Sequence, residues 1–290
     1  MRRILIRIAV IAVLLIALVT AAALILQSPP VKGLILGQAR EYARRNLGSD
    51  LSIDAFDYSL ARGTVSFETL VFRPRPGVGG EPSVSIGRGT VAFDPASLLT
   101  GSPSIRSVRV EEVVINVLID RDGGSNLPQL RGNGAGPGFA IEIVEIDRGS
   151  VRIEDQRQQI VLMLPSWDLR KRESAISLHT LQGGVLAWQG REFDIKELSL
   201  QSRLVEDSLK IVNLDVMAEG SRAVGSGIIR DLSNPVFDLT FDTHVDLGQA
   251  AALGGLTDVQ GRADGILRVT GTPGDLHIKG KFDVDEIGAP

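Results

Sequence analysis

Carboxylates and one histidine alternate along a short segment near residue 240, where they could in principle bind a metal ion. Asp238, Asp242, His244 and Asp246 occupy alternate positions of this strand-like segment, and carboxylate and imidazole groups are common ligands of divalent cations. Residues i, i+2 and i+4 of one strand, however, spread over about 13 Å at about 3.3 Å per residue. One strand therefore cannot hold an ion by itself, and we interpret the segment as a solvated outer face.

A second candidate cation site is the segment DRDGGSNLPQL, in which Asp120, Asp122, Gly124 and Asn126 resemble the start of a calcium-binding loop. The resemblance stops there, because serine stands at the position of the turn glycine and Arg131 at the position of the bidentate glutamate. We therefore predict a turn after a strand.

Glycines are concentrated in residues 131–138 (RGNGAGPG), which could suggest a phosphate-binding loop. The spacing is not G-x-G-x-x-G, no Gly-Lys-Ser/Thr follows, and no helix is predicted after the segment. A linker or long loop is the better interpretation.

Groups that could perform covalent chemistry are isolated from one another. The chain has no cysteine, and its three histidines, His179, His244 and His277, are far apart and outside known catalytic motifs. Trp167 and Trp188 are interpreted as packing residues. We expect no enzymatic activity, no metal and no cofactor, and an exported hydrolase is disfavoured for the same reason.

The elements around these residues begin with a run of nineteen residues without a charge, 8–26 (IAVIAVLLIALVTAAALIL). A helix of this length crosses the roughly 30 Å hydrocarbon core of a bilayer. Arg2, Arg3 and Arg7 precede it, so the positive-inside rule predicts a cytoplasmic N-terminus (stub 1–7) and an exported remainder. A cleaved signal peptide is the alternative, but the apolar run is longer than such peptides need.

Composition excludes some partners of the exported part. Without the three N-terminal arginines the 31 basic residues become 28 against 35 acidic residues, a net charge of −7. Nucleic acid is therefore not an expected partner, because phosphate binding needs clustered basic residues. Many glycines (32) and few aromatic residues (4%) favour short strands joined by tight turns.

Outside the membrane one long helix is predicted, over Val31 to Leu47, with Gly48 as its C-terminal stop. The helix either caps the first strands, which we favour, or lies on the membrane surface.

From Leu51 onward apolar and polar residues alternate with a period of two, as in antiparallel sheets that bury one face. Turns are predicted at Arg62-Gly63, Gly87-Arg88-Gly89, Asp147-Arg148-Gly149, Gly183-Gly184, Ser233-Asn234-Pro235 and Thr272-Pro273-Gly274. The clearest apolar positions, all on the expected buried face, are Val113, Ile115, Val117, Ile119, Phe237, Leu239, Phe241, Val245, Leu247, Leu276, Ile278, Phe282 and Val284.

The predicted fold is mainly β: a single transmembrane helix followed by an elongated antiparallel β-meander. The glycine-rich segment 131–138 divides the exported part into a first region, 31–130, and a second region, 139–290.

The order of these elements, together with the segment 91–130, resembles the N-terminal region of AsmA-like proteins, including the translocation and assembly module (TamB) group. The most specific residues are Asp94-Pro95-Ala96-Ser97-Leu98-Leu99, the strand with Val108-Arg109-Val110, and Asp120-Arg121-Asp122-Gly123 followed by Asn126-Leu127-Pro128. The C-terminal GRADGILRVTGTPGDLHIKGKFDVDEIG resembles the repeating strand unit of the same families.

The resemblance implies an inner-membrane-anchored periplasmic protein whose sheet curls into a U-shaped apolar groove. Its expected partners are membrane phospholipids, whose acyl chains would occupy the groove lined by the apolar positions above, and an outer-membrane β-barrel protein. The alternative function is an assembly factor for outer-membrane proteins that pairs its strand edges with client strands. Fifteen to eighteen strands would extend about 70–85 Å at about 4.8 Å per strand. Bridging family members are longer, so we expect a fragment or a short variant.

Overall fold

The computed structural model describes residues 29–59, 61–74, 81–99, 104–126, 141–232, 234–248, 260–272 and 275–288. The predicted stub 1–7 with Arg2, Arg3 and Arg7, the predicted membrane helix 8–26 and the glycine-rich segment 131–138 lie outside these residues. Among the residues that are described, neither helix is long and apolar enough to cross a bilayer.

The predicted helix after the prolines is confirmed. Helix α1 spans Pro29–Tyr42 and continues into a π-helical turn, Ala43–Leu47. Proline is tolerated in a first helical turn because the N–H groups there have no intrahelical acceptor. The element packs on the first strand, since Ala43 is buried and Lys32 Nζ lies 2.6 Å from Asp57 Oδ1. This placement agrees with the capping interpretation.

The described strands form one sheet, so the predicted mainly β fold is confirmed. A short helix, α2 (Pro95–Leu99), lies between β3 and β4. The strands are β1 (Ser49–Ser59), β2 (Thr64–Pro74), β3 (Val84–Phe93), β4 (Ile105–Ile119), β5 (Ile143–Asp155), β6 (Ile160–Arg172), β7 (Ala175–Thr180), β8 (Gly184–Trp188), β9 (Arg191–Val205), β10 (Ser208–Ala218), β11 (Ser221–Arg230), β12 (Val236–Asp246), β13 (Gln260–Thr272) and β14 (Asp275–Gly288).

The sheet is a long meander in which strands adjacent in sequence are adjacent in space. β7 and β8 share one position, because each pairs with a different half of β6 and of β9. The fourteen described strands therefore fill thirteen positions, fewer than the fifteen to eighteen strands predicted, and extend about 58 Å at about 4.8 Å per strand.

One neighbouring pair departs from the antiparallel prediction. β4 and β5 are parallel, with Val110 opposite Ile146 and Ile115 opposite Val151. Parallel neighbours need a connection of a dozen or more residues, and 23 residues separate the two strands. Pairing thus continues from the first predicted region into the second, on either side of the predicted linker.

A line of irregular pairing crosses the first six strands. In each of them, consecutive side chains on one face are three residues apart instead of two: Ile53 to Phe56, Phe67 to Leu70, Ile86 to Gly89, Val110 to Val113, Ile146 to Gly149 and Leu164 to Trp167. Thr69, Glu112 and Arg148 adopt positive φ values of 48°, 57° and 55° within this region. We call this feature the bulge line, because extra residues of this kind kink strands and increase their twist.

The bulge line corrects two predicted turns. Gly87-Arg88-Gly89 lies inside β3, and Asp147-Arg148-Gly149 lies inside β5. Of the other predicted turns, Arg62-Gly63 falls between β1 and β2, and Gly183-Gly184 falls at the start of β8. Ser233, Pro273 and Gly274 of the remaining two lie outside the described residues.

Candidate functional site

One face of the sheet is apolar on every strand. Directly paired residues of neighbouring strands share a face. The pairing can be followed without interruption from Phe56 on β1 through Val110 on β4 and Phe241 on β12 to Gly280 on β14. We call this face the apolar face and its opposite the polar face. The described elements outside the sheet are all helical, so no second sheet covers the apolar face within the described residues.

The predicted groove residues converge on this face. Twelve of the thirteen lie on it: four on β4, four on β12 and four on β14. Leu247 follows β12 in a short helical segment and does not belong to the paired strands of the sheet.

Exposure of the apolar face changes along the sheet. Its most enclosed part is a cluster of Leu164, Trp167 and Ile195, packed against side chains of neighbouring strands such as Ile115 and Val216. Of the predicted groove residues Val113 alone is buried, at 4% exposed, whereas Leu276, Phe282 and Val284 are exposed and Ile278 is 65% exposed. The remaining groove residues are half-buried. A closed sandwich would bury such side chains on both inner faces.

Aromatic rings on the apolar face lie over glycines of the adjacent strand. A Cβ atom on Gly149 would lie 2.5 Å from the Trp167 ring, and one on Gly265 would lie 2.5 Å from the Phe282 ring. Phe67 and Phe241 cover glycines in the same way; their partners are Gly89 and Gly225. Sequence reasoning did not identify these pairs, because each joins residues from different strands.

Polar side chains on the apolar face mostly bond to the backbone. Thr243 Oγ1 donates to Gly265 O at 3.0 Å, and Thr180 Oγ1 accepts from Leu198 N at 2.9 Å. Such bonds remove much of the cost of placing a hydroxyl among apolar groups. Within the described residues, Trp167 Nε1 and Tyr58 Oη are buried and have no hydrogen-bond partner.

The polar face carries the charges. Along the bulge line, Arg148 lies 2.9 Å from Glu111 and 3.4 Å from Glu112. These carboxylates hold the pKa of the guanidinium above its ordinary value, and the hydrogen bond that Arg148 donates to Glu111 contributes most. Arg222 donates two hydrogen bonds to Asp215, at 2.9 and 2.6 Å, which lowers the pKa of that carboxyl. These ion pairs are largely accessible to solvent, so each contributes little to stability.

The carboxylates of the two segments considered as cation sites contact other groups of the protein. Asp120 Oδ1 accepts from the backbone N–H groups of Asp122 and Gly124, at 3.0 and 2.7 Å, which confirms the turn interpretation. On β12 Asp238 pairs with Arg268 at 3.1 Å, and His244 Nδ1 lies 2.6 Å from Asp264 Oδ1. The interpretation of this segment as an outer face agrees with its position on the polar face.

Comparison with known proteins leaves the family unassigned: no family model matches the chain, and no curated protein sequence matches it. The resemblance to AsmA-like proteins therefore remains a proposal.

Proposed function

We propose that this chain carries phospholipid along an apolar β-groove between the inner and outer membranes of a cell envelope. The observation that supports the proposal is the apolar face, which runs across all fourteen strands with no second sheet over it in the described residues. Acyl chains bound along such a face would remain in an apolar environment throughout, and no covalent step is needed.

The arrangement in the cell follows from the same proposal. The segment 8–26 would anchor the chain in the inner membrane, with the N-terminus in the cytoplasm and the strands in the periplasm. Helix α1 packs on β1, so the first strands would lie near the outer surface of that membrane. The sheet would curl into a U with the apolar face inside, and the bulge line supports this curvature because such irregularities bend strands.

Photo-crosslinking of the full chain in cells tests the groove. Benzoylphenylalanine at Ile278 or Phe241, both on the apolar face, is expected to yield adducts with the mass of phospholipid. The matched control is Lys279, the next residue along β14 on the polar face, where no lipid adduct is expected. Equal labelling at Ile278 and Lys279, or no lipid at any position, contradicts the proposal.

A second candidate function is assembly of outer-membrane proteins by strand addition. The observation that favours it is the outer edge of β14, which pairs with no other described strand. Strand addition would use backbone hydrogen bonds along this edge. The crosslinking experiment separates the two candidates, because a polypeptide adduct at Ile278 in place of lipid supports assembly.

A further inference from the structure

The polar face has a concavity of about 470 Å3 that the lipid proposal does not use. Its floor is formed by two small residues of β7, Ala175 and Ser177. Long side chains of the flanking strands form the walls, because Arg172 and Arg203 both pair with Ala175 from opposite sides. The next row repeats the arrangement: Arg170 and Gln201 flank Ser177.

The two arginines that face each other across Ala175 form no close ion pair with a described carboxylate. Within the described residues Arg203 has no carboxylate within 4.0 Å. Arg172 is 75% exposed and lies 3.8 Å from Glu145, whose other oxygen is 2.5 Å from Arg109.

Arg170, by contrast, is fixed in place. It pairs with Asp147 and donates to the backbone carbonyls of Ile146 and Leu169, at 2.9 and 3.1 Å. It therefore forms a rigid side of the concavity and is not an available cation. A further cation, Lys210, is the neighbour of Arg203 on β10.

We propose that this concavity binds a phosphate group between Arg172 and Arg203. Their strands lie on either side of β7, about 9.6 Å apart at about 4.8 Å per strand, so both guanidinium groups can reach one anion above Ala175. Guanidinium groups bind phosphate oxygens through two parallel N–H donors, and Ser177 and Gln201 supply neutral donors beside them.

The size and charge of the surroundings select a small ligand. Carboxylates such as Glu145 and Asp147 border the cluster, and the chain has a net charge of −4. An extended polyanion would be repelled by these surroundings, whereas one phosphate needs only the two arginines and the neutral donors beside them. The phosphate could come from a lipid headgroup or from a free phosphorylated molecule.

Calorimetric titration of the full chain in a neutral detergent tests the site. The probes are inorganic phosphate and, separately, micelles containing phosphatidic acid, at constant ionic strength. Saturable binding of phosphate is expected, and R172Q or R203Q should each raise its Kd about tenfold or more. A175L should also weaken binding, because it fills the floor and retains both arginines.

The control variant is R262Q, which removes an exposed arginine of β13 outside the concavity. Unchanged binding in this variant, with loss in the other three, supports the site. Displacement of inorganic phosphate by phosphatidic acid would identify a lipid headgroup as the source, and binding without displacement would identify a free phosphate. The proposal is overturned if neither probe binds, or if R262Q weakens binding as much as R203Q does.

Discussion

Close contact between an aromatic ring and a glycine is the recurring detail of the apolar face at the scale of single residues. Trp167 packs over Gly149, and Phe282 packs over Gly265. A glycine lets a large ring lie flat against the neighbouring strand, where a side chain would hold it away. A chain with only 4% aromatic residues can thereby fill its apolar face with few rings.

The Gly149–Trp167 contact predicts the effect of a single methyl group. Gly149→Ala should lower the free energy of unfolding by about 1–3 kcal/mol, because its Cβ would lie 2.5 Å from the indole ring. Gly37→Ala is a control with the opposite expected effect. A Cβ at this position would meet no atom within 4 Å beyond its chain neighbours and the adjacent backbone of its own helix, and alanine in a helix interior should stabilise the chain by about 0.5–1 kcal/mol. Urea unfolding of both variants measures the difference, and equal effects would contradict the packing argument.

The ion pair between Lys32 and Asp57 predicts a pH dependence. The hydrogen bond and charge of Lys32 hold the pKa of Asp57 below its ordinary value of 3.8. A carboxyl with a lowered folded pKa stabilises the fold above its unfolded pKa and loses this contribution as pH falls through the folded value.

Lys32→Met should therefore lower the free energy of unfolding at pH 7, and the difference from the wild type should diminish below about pH 4. Urea unfolding across this pH range measures it. Lys279→Met, which removes an exposed lysine outside the described ion pairs, is the control that should show no such pH dependence. If the free energy of unfolding of Lys32→Met still differs from that of the wild type at about pH 2, Lys32 acts through packing.

At the scale of elements, the bulge line explains how six long strands bend together. From β1 to β5 each strand inserts its extra residue beside that of its neighbour, and the insertion in β6 is offset by one pair. The sheet therefore keeps its pairing on either side of the line. Residues with positive φ, such as Thr69 at 48°, are the local cost of this bend. A β-branched residue is especially unfavourable there.

Thr69→Gly should therefore be neutral or stabilising, since glycine adopts positive φ without steric cost. Thr90→Gly, on the polar face of the adjacent strand and without a positive φ, should destabilise by about 1 kcal/mol. In thermal or urea unfolding, the midpoint of Thr90→Gly should fall, whereas that of Thr69→Gly should stay the same or rise. Similar losses in both variants would indicate that Thr69 is not strained.

Some elements could be predicted from the sequence and others could not, for physical reasons. Alternation of apolar and polar residues identifies strands and their faces, because the period of a strand is two. The glycines of Gly87-Arg88-Gly89 predict a turn, but glycine is also common where a strand is bulged, so this pattern alone does not distinguish the two. The parallel pair β4–β5 and the Arg172–Arg203 cluster depend on strand order, which local sequence patterns do not contain.

At the scale of the whole molecule, the fold has one apolar and one charged face across about 58 Å. A compact domain buries its apolar face under a second layer. The described part of this chain has no second sheet, and its apolar side chains become more exposed toward β14. Substitutions on the exposed apolar face of β14 can therefore test ligand binding with little effect on the stability of the fold.

A carboxylate introduced at a buried position of the apolar face should affect stability much more than one introduced at an exposed position. Val113→Glu puts a carboxylate at a position that is 4% exposed and should cost about 3 kcal/mol or more. Ile278→Glu, at 65% exposed, should change the free energy of unfolding by about 0.5 kcal/mol or less. In a lipid-binding groove Ile278→Glu should nevertheless reduce the phospholipid recovered with the full chain by mass spectrometry, whereas Lys279→Glu on the polar face should not. If Ile278→Glu instead unfolds the chain as Val113→Glu does, the apolar face is covered in solution and the lipid proposal fails.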